Sequence, residues 1–295
     1  MSLGWRSNPL TRGGRAGVVA LAAALVGVAC GSEEGPDRPD VSDPGPIHVH
    51  GLGINPKDGG LFIATHTGLF RAPEGEEKAT RVAGRYQDTM GFTIVGPDRF
   101  LGSGHPDGRE RLPPFLGLIE SRDAGETWQP ISLHGKRDFH VLEAARGRVY
   151  GFGADFETRE QALLVSSDGG KRWSERRTPE PLLDLAMRPG AADHVVASGE
   201  QGLYGSTDAG ASWKQLGGDA GLLTWSAPDR LYLVTLNGQV MASADAGDAW
   251  QVVGEVGGEP AALAHHGPSD LYVALHDGTV KRSTNGRDWA VSSRP

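Results

Sequence analysis

Short apolar runs, bounded by Gly, Pro and Asp, recur along the whole chain after residue 47. Examples are LFIAT (61–65), RVYGFG (148–153), LYLVTL (231–236) and LYVALH (271–276). Runs of this length, rich in aliphatic and aromatic residues, are typical of β-strands. No long segment shows the 3.6-residue period of an amphipathic helix. The pattern therefore predicts an all-β fold.

A second pattern, Ser-x-Asp-x-Gly-x-x-Trp, lies between these runs. Four full copies and one copy a residue shorter occur at Ser121–Trp128, Ser166–Trp173, Ser206–Trp213, Ser243–Trp250 and Ser283–Trp289. Their serines lie 45, 40, 37 and 40 residues apart. A nearly fixed period in this range indicates repeated supersecondary units.

The residue types in the pattern favour a structural role. An Asp or Asn side chain can accept a hydrogen bond from a backbone N–H two residues on, which forms an Asx-type turn. The glycine supplies a positive φ, and the tryptophan covers the hairpin with a large apolar face. The residues assigned to this role are Asp123, Trp128, Asp168, Trp173, Asp208, Trp213, Asp245, Trp250, Asn285 and Trp289.

Each repeat contains an inner strand, a second strand, a third strand that leads into the pattern, and a fourth strand after Trp. Six such units, near 41 residues each, fill residues 47–295, and the first carries a decayed pattern at 72–75. Six four-stranded units predict a six-bladed β-propeller. The ring is expected to close by packing of blade 1 against blade 6.

The repeated pattern resembles the Asp-box (BNR) repeat of sialidases, sortilin-type receptors and photosystem II assembly-factor-like propellers. The resemblance covers nearly all of the chain after residue 47, and it implies a scaffold that carries both enzymes and binding proteins. A sialidase would use a tyrosine nucleophile with a neighbouring glutamate, an aspartate acid/base and three arginines. Phe70-Arg71-Ala72-Pro73 is similar to the F/Y-R-I-P motif of that family. The repeat alignment, however, places Arg71 on a third strand and not on a channel-facing inner strand, which favours a binding propeller.

Residues 1–29 are predicted to be a lipoprotein signal peptide. Arg6, Arg12 and Arg15 precede a fourteen-residue apolar segment, 16–29, which is too short for an ordinary membrane span. Gly27-Val28-Ala29-Cys30 resembles a lipobox with Gly in place of the usual Leu, and it implies lipidation of Cys30. Cys30 is the only cysteine, so an intrachain disulfide is excluded.

Residues 30–46 are predicted to be a disordered tether, because they are rich in acids and prolines and almost free of apolar side chains. The expected protein is an extracytoplasmic lipoprotein of the bacterial envelope, attached to the membrane through its lipid anchor only. Removal of residues 1–29 leaves 26 basic residues (29 − 3) against 37 acidic ones, a balance of −11. This excess of acids disfavours a nucleic-acid partner. A monomer is expected, with a glycan, a metal ion or an envelope protein as its partner.

Candidate functional residues concentrate on one face of the predicted propeller. Loops that lead into inner strands, and loops between second and third strands, open on the same face, opposite the Asp-containing turns. We call this the mouth face. Histidines assigned to it are His48, His50, His66, His105, His134, His140 and His276.

A metal site is one interpretation of these histidines. Blades 6, 1 and 2 are neighbours in a closed ring, so His276, His66 and His105 are expected to stand side by side. Together with His50 they are candidate ligands of Zn²⁺ or Cu²⁺, and Asp88 or Glu200 is a candidate ligand or orienting group. The alternative is a polar channel mouth whose imidazoles stack and bond to loop backbone.

Two long loops on the mouth face, 105–115 and 154–160, add candidate ligand-binding groups, among them Arg109 and Arg111. For a glycoside hydrolase, the candidate catalytic carboxylates are Asp88, Asp138 and Glu200, with Asp184 on the same side. The sequence therefore favours a protein that binds a ligand or partner through the mouth face. The alternatives are a sialidase-like exo-glycoside hydrolase and an envelope assembly scaffold without a small ligand.

Overall fold

In the computed structural model of the protein, residue 43 and residues 45–295 are described. The predicted signal peptide, the lipidation site at Cys30 and nearly all of the tether lie outside these residues. The described residues form six four-stranded antiparallel sheets, each ordered from its first strand to its fourth. The all-β, six-bladed β-propeller is confirmed. Within this part of the chain no helix is long and apolar enough to cross a membrane.

Blades 1 to 3 follow one another in chain order. Blade 1 comprises β1 (Val49–Ile54), β2 (Leu61–Thr65), β3 (Gly68–Ala72) and β4 (Thr80–Arg81), followed by a short 3₁₀ turn (Val82–Gly84). Blade 2 comprises β5 (Asp88–Gly96), β6 (Arg99–His105), β7 (Leu118–Ser121) and β8 (Gln129–Ser132). Blade 3 comprises β9 (Arg137–Ala145), β10 (Arg148–Asp155), β11 (Gln161–Ser166) and β12 (Ser174–Arg176).

Blades 4 to 6 repeat the arrangement. Blade 4 comprises β13 (Leu182–Met187), β14 (Val195–Gly199), β15 (Gly202–Ser206) and β16 (Lys214–Gly217). Blade 5 comprises β17 (Gly221–Ala227), β18 (Arg230–Thr235), β19 (Gln239–Ser243) and β20 (Gln251–Glu255). Blade 6 comprises β21 (Pro260–His266), β22 (Asp270–Leu275), β23 (Val280–Ser283) and β24 (Ala290–Ser293).

The six blades form a closed ring around a central channel. Each inner strand contacts the inner strands on either side, and β21 of blade 6 contacts β1 of blade 1. The end of the chain reinforces this last seam, since the Ser293 hydroxyl and the Arg294 backbone N–H both donate to the Glu77 carbonyl, at 2.9 and 3.0 Å. Blade 1 therefore packs on blade 6, as the repeat count predicted.

Apolar side chains fill the seams between blades. In the seam between blades 2 and 3, Trp173 packs with Leu101, Leu118 and Phe139. Its ring lies 5.3 Å from that of Phe139, and its Nε1–H donates to the Ser132 hydroxyl at 2.9 Å. The other repeat tryptophans join the clusters at four further seams: Trp128, Trp213, Trp250 and Trp289. Each thus joins its own blade to the preceding one.

The Ser-x-Asp turns have a common hydrogen-bond pattern. In the turn of blade 3, Ser166 Oγ donates to Asp168 Oδ1 at 2.9 Å and accepts the N–H of Gly170 at 2.9 Å. Asp168 Oδ1 also accepts the N–H of Arg172, four residues on, at 2.9 Å. The expectation of a bond from two residues on was therefore wrong for the full-length turns.

The length of the turn explains the difference. Each full turn has an additional residue with positive φ before its glycine: Ala124, Gly169, Ala209 and Ala246. The blade 6 turn lacks that residue, and there Asn285 Oδ1 accepts the N–H of Arg287, two residues on, at 2.9 Å. The predicted positive φ of the turn glycine is found in all five described turns, with values from 73° to 93°.

Candidate functional site

Polar side chains of blades 1 to 3 converge at the mouth face. They come from the start of the three inner strands and from the end of the second strands of blades 1 and 2. We call them the mouth cluster: His48, His50, His66, Asp88, His105, Asp138 and His140. The second strand of one blade ends beside the inner strand that begins the next, so neighbouring blades contribute side chains to the same point.

His50, His66 and Asp88 form the tightest group in the cluster. Each offers one ligand atom, and these three atoms lie within 4.8 Å of one another. His66 Nδ1 lies 3.0 Å from Asp88 Oδ1, and the rings of His50 and His66 meet edge to face with centroids 4.3 Å apart. Two imidazoles and a carboxylate at this separation match the donor set of Zn²⁺.

The protonation of this group suits a ligand role. Burial and the nearby imidazoles, chiefly His66, lower the pKa of His50 to about 4. His50 is therefore neutral at pH 7, and its buried Nε2 has no hydrogen-bond partner among the described residues. Burial raises the pKa of Asp88, while the contact with His66 opposes that rise.

Asp138 contacts the two remaining histidines of blades 2 and 3 in the mouth cluster. Its side chain is only 4% exposed, and its Oδ2 lies 3.0 Å from His140 Nε2 and 3.4 Å from His105 Nε2. The contact with Asp138 raises the pKa of His140. A bulge in β9 sets this geometry: Val141 pairs with Phe152 and Phe139 with Gly153, so His140 is left without a cross-strand partner.

The structure corrects the expected set of blades. Blades 1, 2 and 3 converge, whereas blades 6, 1 and 2 were predicted to do so. His276 is exposed on its turn and is not a member of the group with His50 and His66. The segment that leads into β1 lies against the blade 6 turn that carries His276, since a Cβ on Gly278 would meet the Pro46 carbonyl at 2.9 Å. Glu200, which was predicted as a metal ligand or catalytic carboxylate, is exposed in blade 4.

The two long loops contact each other beside the cluster. Phe115 of the first loop and Phe156 of the second meet edge to face at 5.3 Å, and Phe115 also lies 5.4 Å from the His105 ring. Arg109 donates to Asp107 within its own loop and stacks over Tyr86, 5.0 Å from the ring centroid. Arg111 is exposed. Arg109 therefore stabilises the loop through these contacts. Arg111 is the more accessible of the two cations for binding a ligand.

The channel behind the mouth cluster contains two carboxylic acids. The cavity has a volume of about 520 Å³, and its lining includes Glu143 of blade 3 and Asp184 of blade 4. The sequence-based candidates omitted Glu143. A signal was available, because an acidic residue interrupts the otherwise apolar run 141–145 of the inner strand.

Both channel acids have pKa values raised to near pH 7 or above. Burial, with a smaller contribution from Asp184, raises the pKa of Glu143 to about 8. Burial raises the pKa of Asp184 to about 7, although its two oxygens accept the N–H groups of Leu185 and Leu223, each at 2.8 Å. Asp184 thereby ties the inner strand of blade 4 to that of blade 5.

Comparison with known proteins supports the fold and leaves the activity open. No family model matches the chain. The dispase autolysis-inducing protein of Streptomyces mobaraensis is 27% identical over 161 residues, which are 54% of this chain and 38% of that protein. The chain therefore spans well under half the length of this curated relative.

Solved structures with the same architecture include enzymes. A luciferin-regenerating enzyme superposes with a TM-score of 0.59 at 11% identity, over 79% of this chain and 86% of its own. The GH74 xyloglucanase of Xanthomonas campestris superposes with a TM-score of 0.52 at 17% identity, over 84% of this chain and 45% of its own. YCF48 from Cyanidioschyzon merolae superposes with a TM-score of 0.50 at 13% identity, over 85% of this chain and 87% of its own. At these identities the likeness shows a shared propeller fold.

Proposed function

We propose that this chain is a lipid-anchored, extracytoplasmic Asp-box propeller that binds a ligand or partner at its mouth face, with a Zn²⁺ or Cu²⁺ ion held by His50, His66 and Asp88. One observation carries the proposal: the ligand atoms of these three residues lie within 4.8 Å of one another. The neutral state of His50 at pH 7 and its unpartnered Nε2 support it.

A site with three protein ligands leaves a coordination position open, as in zinc sites that take up a water or a substrate. His66 is exposed, so an ion held there would be reachable by a ligand from the solvent. The ion would therefore fix a donor group of the ligand, while the loops contact the rest of it. The relative from Streptomyces mobaraensis is named for inducing the autolysis of dispase. That name supports a protein partner over a small molecule.

Metal titration of the full chain tests the proposal. After treatment with chelator, titration with Zn²⁺ should show binding with a Kd below about 0.1 mM, a free energy stronger than about −5.5 kcal/mol. The variant His66→Ala should lose this ion. His276→Ala is the matched control, because His276 is also an exposed mouth-face histidine but lies outside the group, and it should bind as the natural chain does. Equal binding by all three proteins would rule out this site.

Membrane attachment has a separate test. Cys30→Ser should release the protein from the membrane fraction of a bacterial host that lipidates exported proteins. Retention of the variant in the membrane fraction would show that another segment anchors the chain.

A glycoside hydrolase is the second candidate, and one observation favours it. Hydrolysis of a glycosidic bond uses a protonated carboxylic acid together with a second carboxylate. Glu143 and Asp184 line one cavity, and burial favours the protonated form of Glu143 at pH 7. Turnover of fluorogenic glycosides by the natural chain, lost in Glu143→Gln, would favour the enzyme. Asp88→Asn distinguishes a channel reaction from one at the mouth cluster, since a channel reaction should survive it.

A further inference from the structure

A second histidine–carboxylate group lies beside His50, His66 and Asp88, since Asp88 and His105 are paired across β5 and β6. It consists of His105, at the end of β6, and of Asp138 and His140, near the start of β9. Both imidazole Nε2 atoms converge on Asp138 Oδ2, at 3.4 Å from His105 and 3.0 Å from His140. The group thus joins blades 2 and 3 in the way that His66 and Asp88 join blades 1 and 2.

The hydrogen bond at His105 Nδ1 determines whether His105 Nε2 carries a proton in the neutral ring. His105 Nδ1 lies 2.8 Å from the carbonyl oxygen of Pro114. A carbonyl oxygen only accepts hydrogen bonds, so Nδ1 carries the proton in this contact. In neutral His105, Nε2 then presents its lone pair to the carboxylate of Asp138. Two acceptor atoms 3.4 Å apart repel each other unless a cation, either a proton or a metal ion, lies between them.

The surroundings of Asp138 indicate the same need for a cation. The Asp138 side chain is 4% exposed, and its Oδ1 is buried with no hydrogen-bond partner among residues 43 and 45–295. A buried carboxylate oxygen without a partner is unfavourable, because the charge has lost its hydration. An ion bound between the two imidazoles would compensate the charge of the whole carboxylate.

We propose that the mouth cluster holds a second transition-metal ion, bound by His105, Asp138 and His140, so that the mouth carries two ions. The proposal rests on the proposed function, in that it assigns a further ion to the same metal-binding mouth. Two imidazole nitrogens and one carboxylate favour Zn²⁺ over Ca²⁺ or Mg²⁺, which prefer oxygen ligands. The bond from His105 to Pro114 would then orient the ligand, as backbone carbonyls do behind metal-bound histidines.

Binding of an ion by this group would require its side chains to move closer together, because among the described residues only His50, His66 and Asp88 form a group of three with ligand atoms within 4.8 Å of one another. Zinc–nitrogen bonds are about 2.0–2.1 Å long. The two imidazoles are 38% and 48% exposed, so each has space on its solvent side for such a movement. The buried carboxylate is the fixed element of this site.

Counting bound ions tests the proposal. The full chain, stripped with chelator, would be titrated with Zn²⁺ by calorimetry and with Co²⁺ by absorption, and bound metal would be measured by elemental analysis. We expect two ions per chain. His140→Ala and His66→Ala should each retain one ion, and the double variant should retain none. His276→Ala, the matched control, should retain two.

The outcomes separate this proposal from the proposed function. One ion that is lost in His66→Ala but kept in His140→Ala would overturn the second site and leave the first. One ion with the opposite behaviour would overturn the first site and leave the second. A single ion lost in either variant would show one shared site, and no ion at all would overturn both. His140 is half-exposed, so near-ultraviolet circular dichroism should show its variant folded; Asp138→Asn then serves as a second test of the same ligand set.

Discussion

The two faces of this propeller are built on opposite rules. On the turn face, the described turns of blades 2 to 6 share one contact, in which each serine hydroxyl accepts the N–H of its glycine at 2.8 or 2.9 Å. On the mouth face, the corresponding loops differ from blade to blade, and polar atoms of His50 and Asp138 are buried without partners in the described part of the chain. The repeated turns stabilise the ring, and the loops that differ from blade to blade form the candidate site.

This difference has a physical origin. A repeated turn satisfies its own backbone groups and places a tryptophan in the seam, so it contributes to stability in every blade. A loop that leaves buried donors or acceptors unpaired lowers stability. Such loops are expected where a ligand completes the missing interactions. Substitutions on the two faces should therefore affect different properties.

The largest effect is expected for Trp173→Ala on the turn face. The substitution removes a side chain that packs with Phe139 and donates to Ser132. It should lower the free energy of unfolding by about 3–5 kcal/mol, as for other aromatic truncations in a core. Urea denaturation followed by fluorescence measures this change.

His276→Ala provides the contrast on the mouth face. His276 is exposed and lies outside the group of His50, His66 and Asp88, so the free energy of unfolding should change by less than about 1 kcal/mol. The comparison between the faces breaks down if the two variants lose similar stability.

An intermediate effect is expected in the channel, for Glu143→Gln. Burial raises the pKa of Glu143 from 4.5 to about 8. The folded chain therefore binds a proton that the unfolded chain has released, and stability from this group is fully present below pH 4.5 and lost as pH rises through about 8. Glutamine stays neutral, so at pH 9 the variant should be more stable than the natural chain by about 1–3 kcal/mol.

Urea denaturation at pH 5, 7 and 9 measures that dependence. Glu157→Gln removes an exposed carboxylate from a mouth-face loop and should leave the pH profile unchanged. Some dependence should remain in Glu143→Gln, because burial also raises the pKa of Asp184, to about 7. A profile identical to that of the natural chain would show that Glu143 is well hydrated in the channel.

The smallest effect is expected for Gly169→Ala, which tests the turn itself. Gly169 has a φ of 76°, and a Cβ built there meets nothing within 4 Å. The substitution should therefore cost only backbone strain, about 1 kcal/mol. Alanine already occupies the equivalent position at Ala124, Ala209 and Ala246, so the fold should be retained. A change in the thermal midpoint measures this cost, and a stabilised variant would contradict the strain.

Much of the fold followed from local patterns. The spacing of Ser121, Ser166, Ser206 and Ser243 fixed the period, and the apolar runs between them gave the strands. The assignment of His66, His105 and His140 to one face also followed, because strand order alone determines which loops share a face. The hydrogen-bond register of the turns did not follow, since one additional residue with positive φ moves the donor from two residues on to four.

The convergence at the mouth could not be read from the repeats. By position, His276 is equivalent to His66 and His105, yet only the last two contact the first residues of a following inner strand. The segment before β1 lies against the blade 6 turn, where a Cβ on Gly278 would meet the Pro46 carbonyl at 2.9 Å. Glu143 was missed for a similar reason, because the burial that raises its pKa arises only when the blades pack around the channel.

The sequence by itself determined the all-β architecture and the six blades, because these depend on periodicity and on the order of strands. The tertiary structure decided which histidines meet, which carboxylates face them, and how far the pKa values of His50 and Glu143 move. Those properties arise from distances and burial between blades, and residues about 40 positions apart are brought together only when the ring closes.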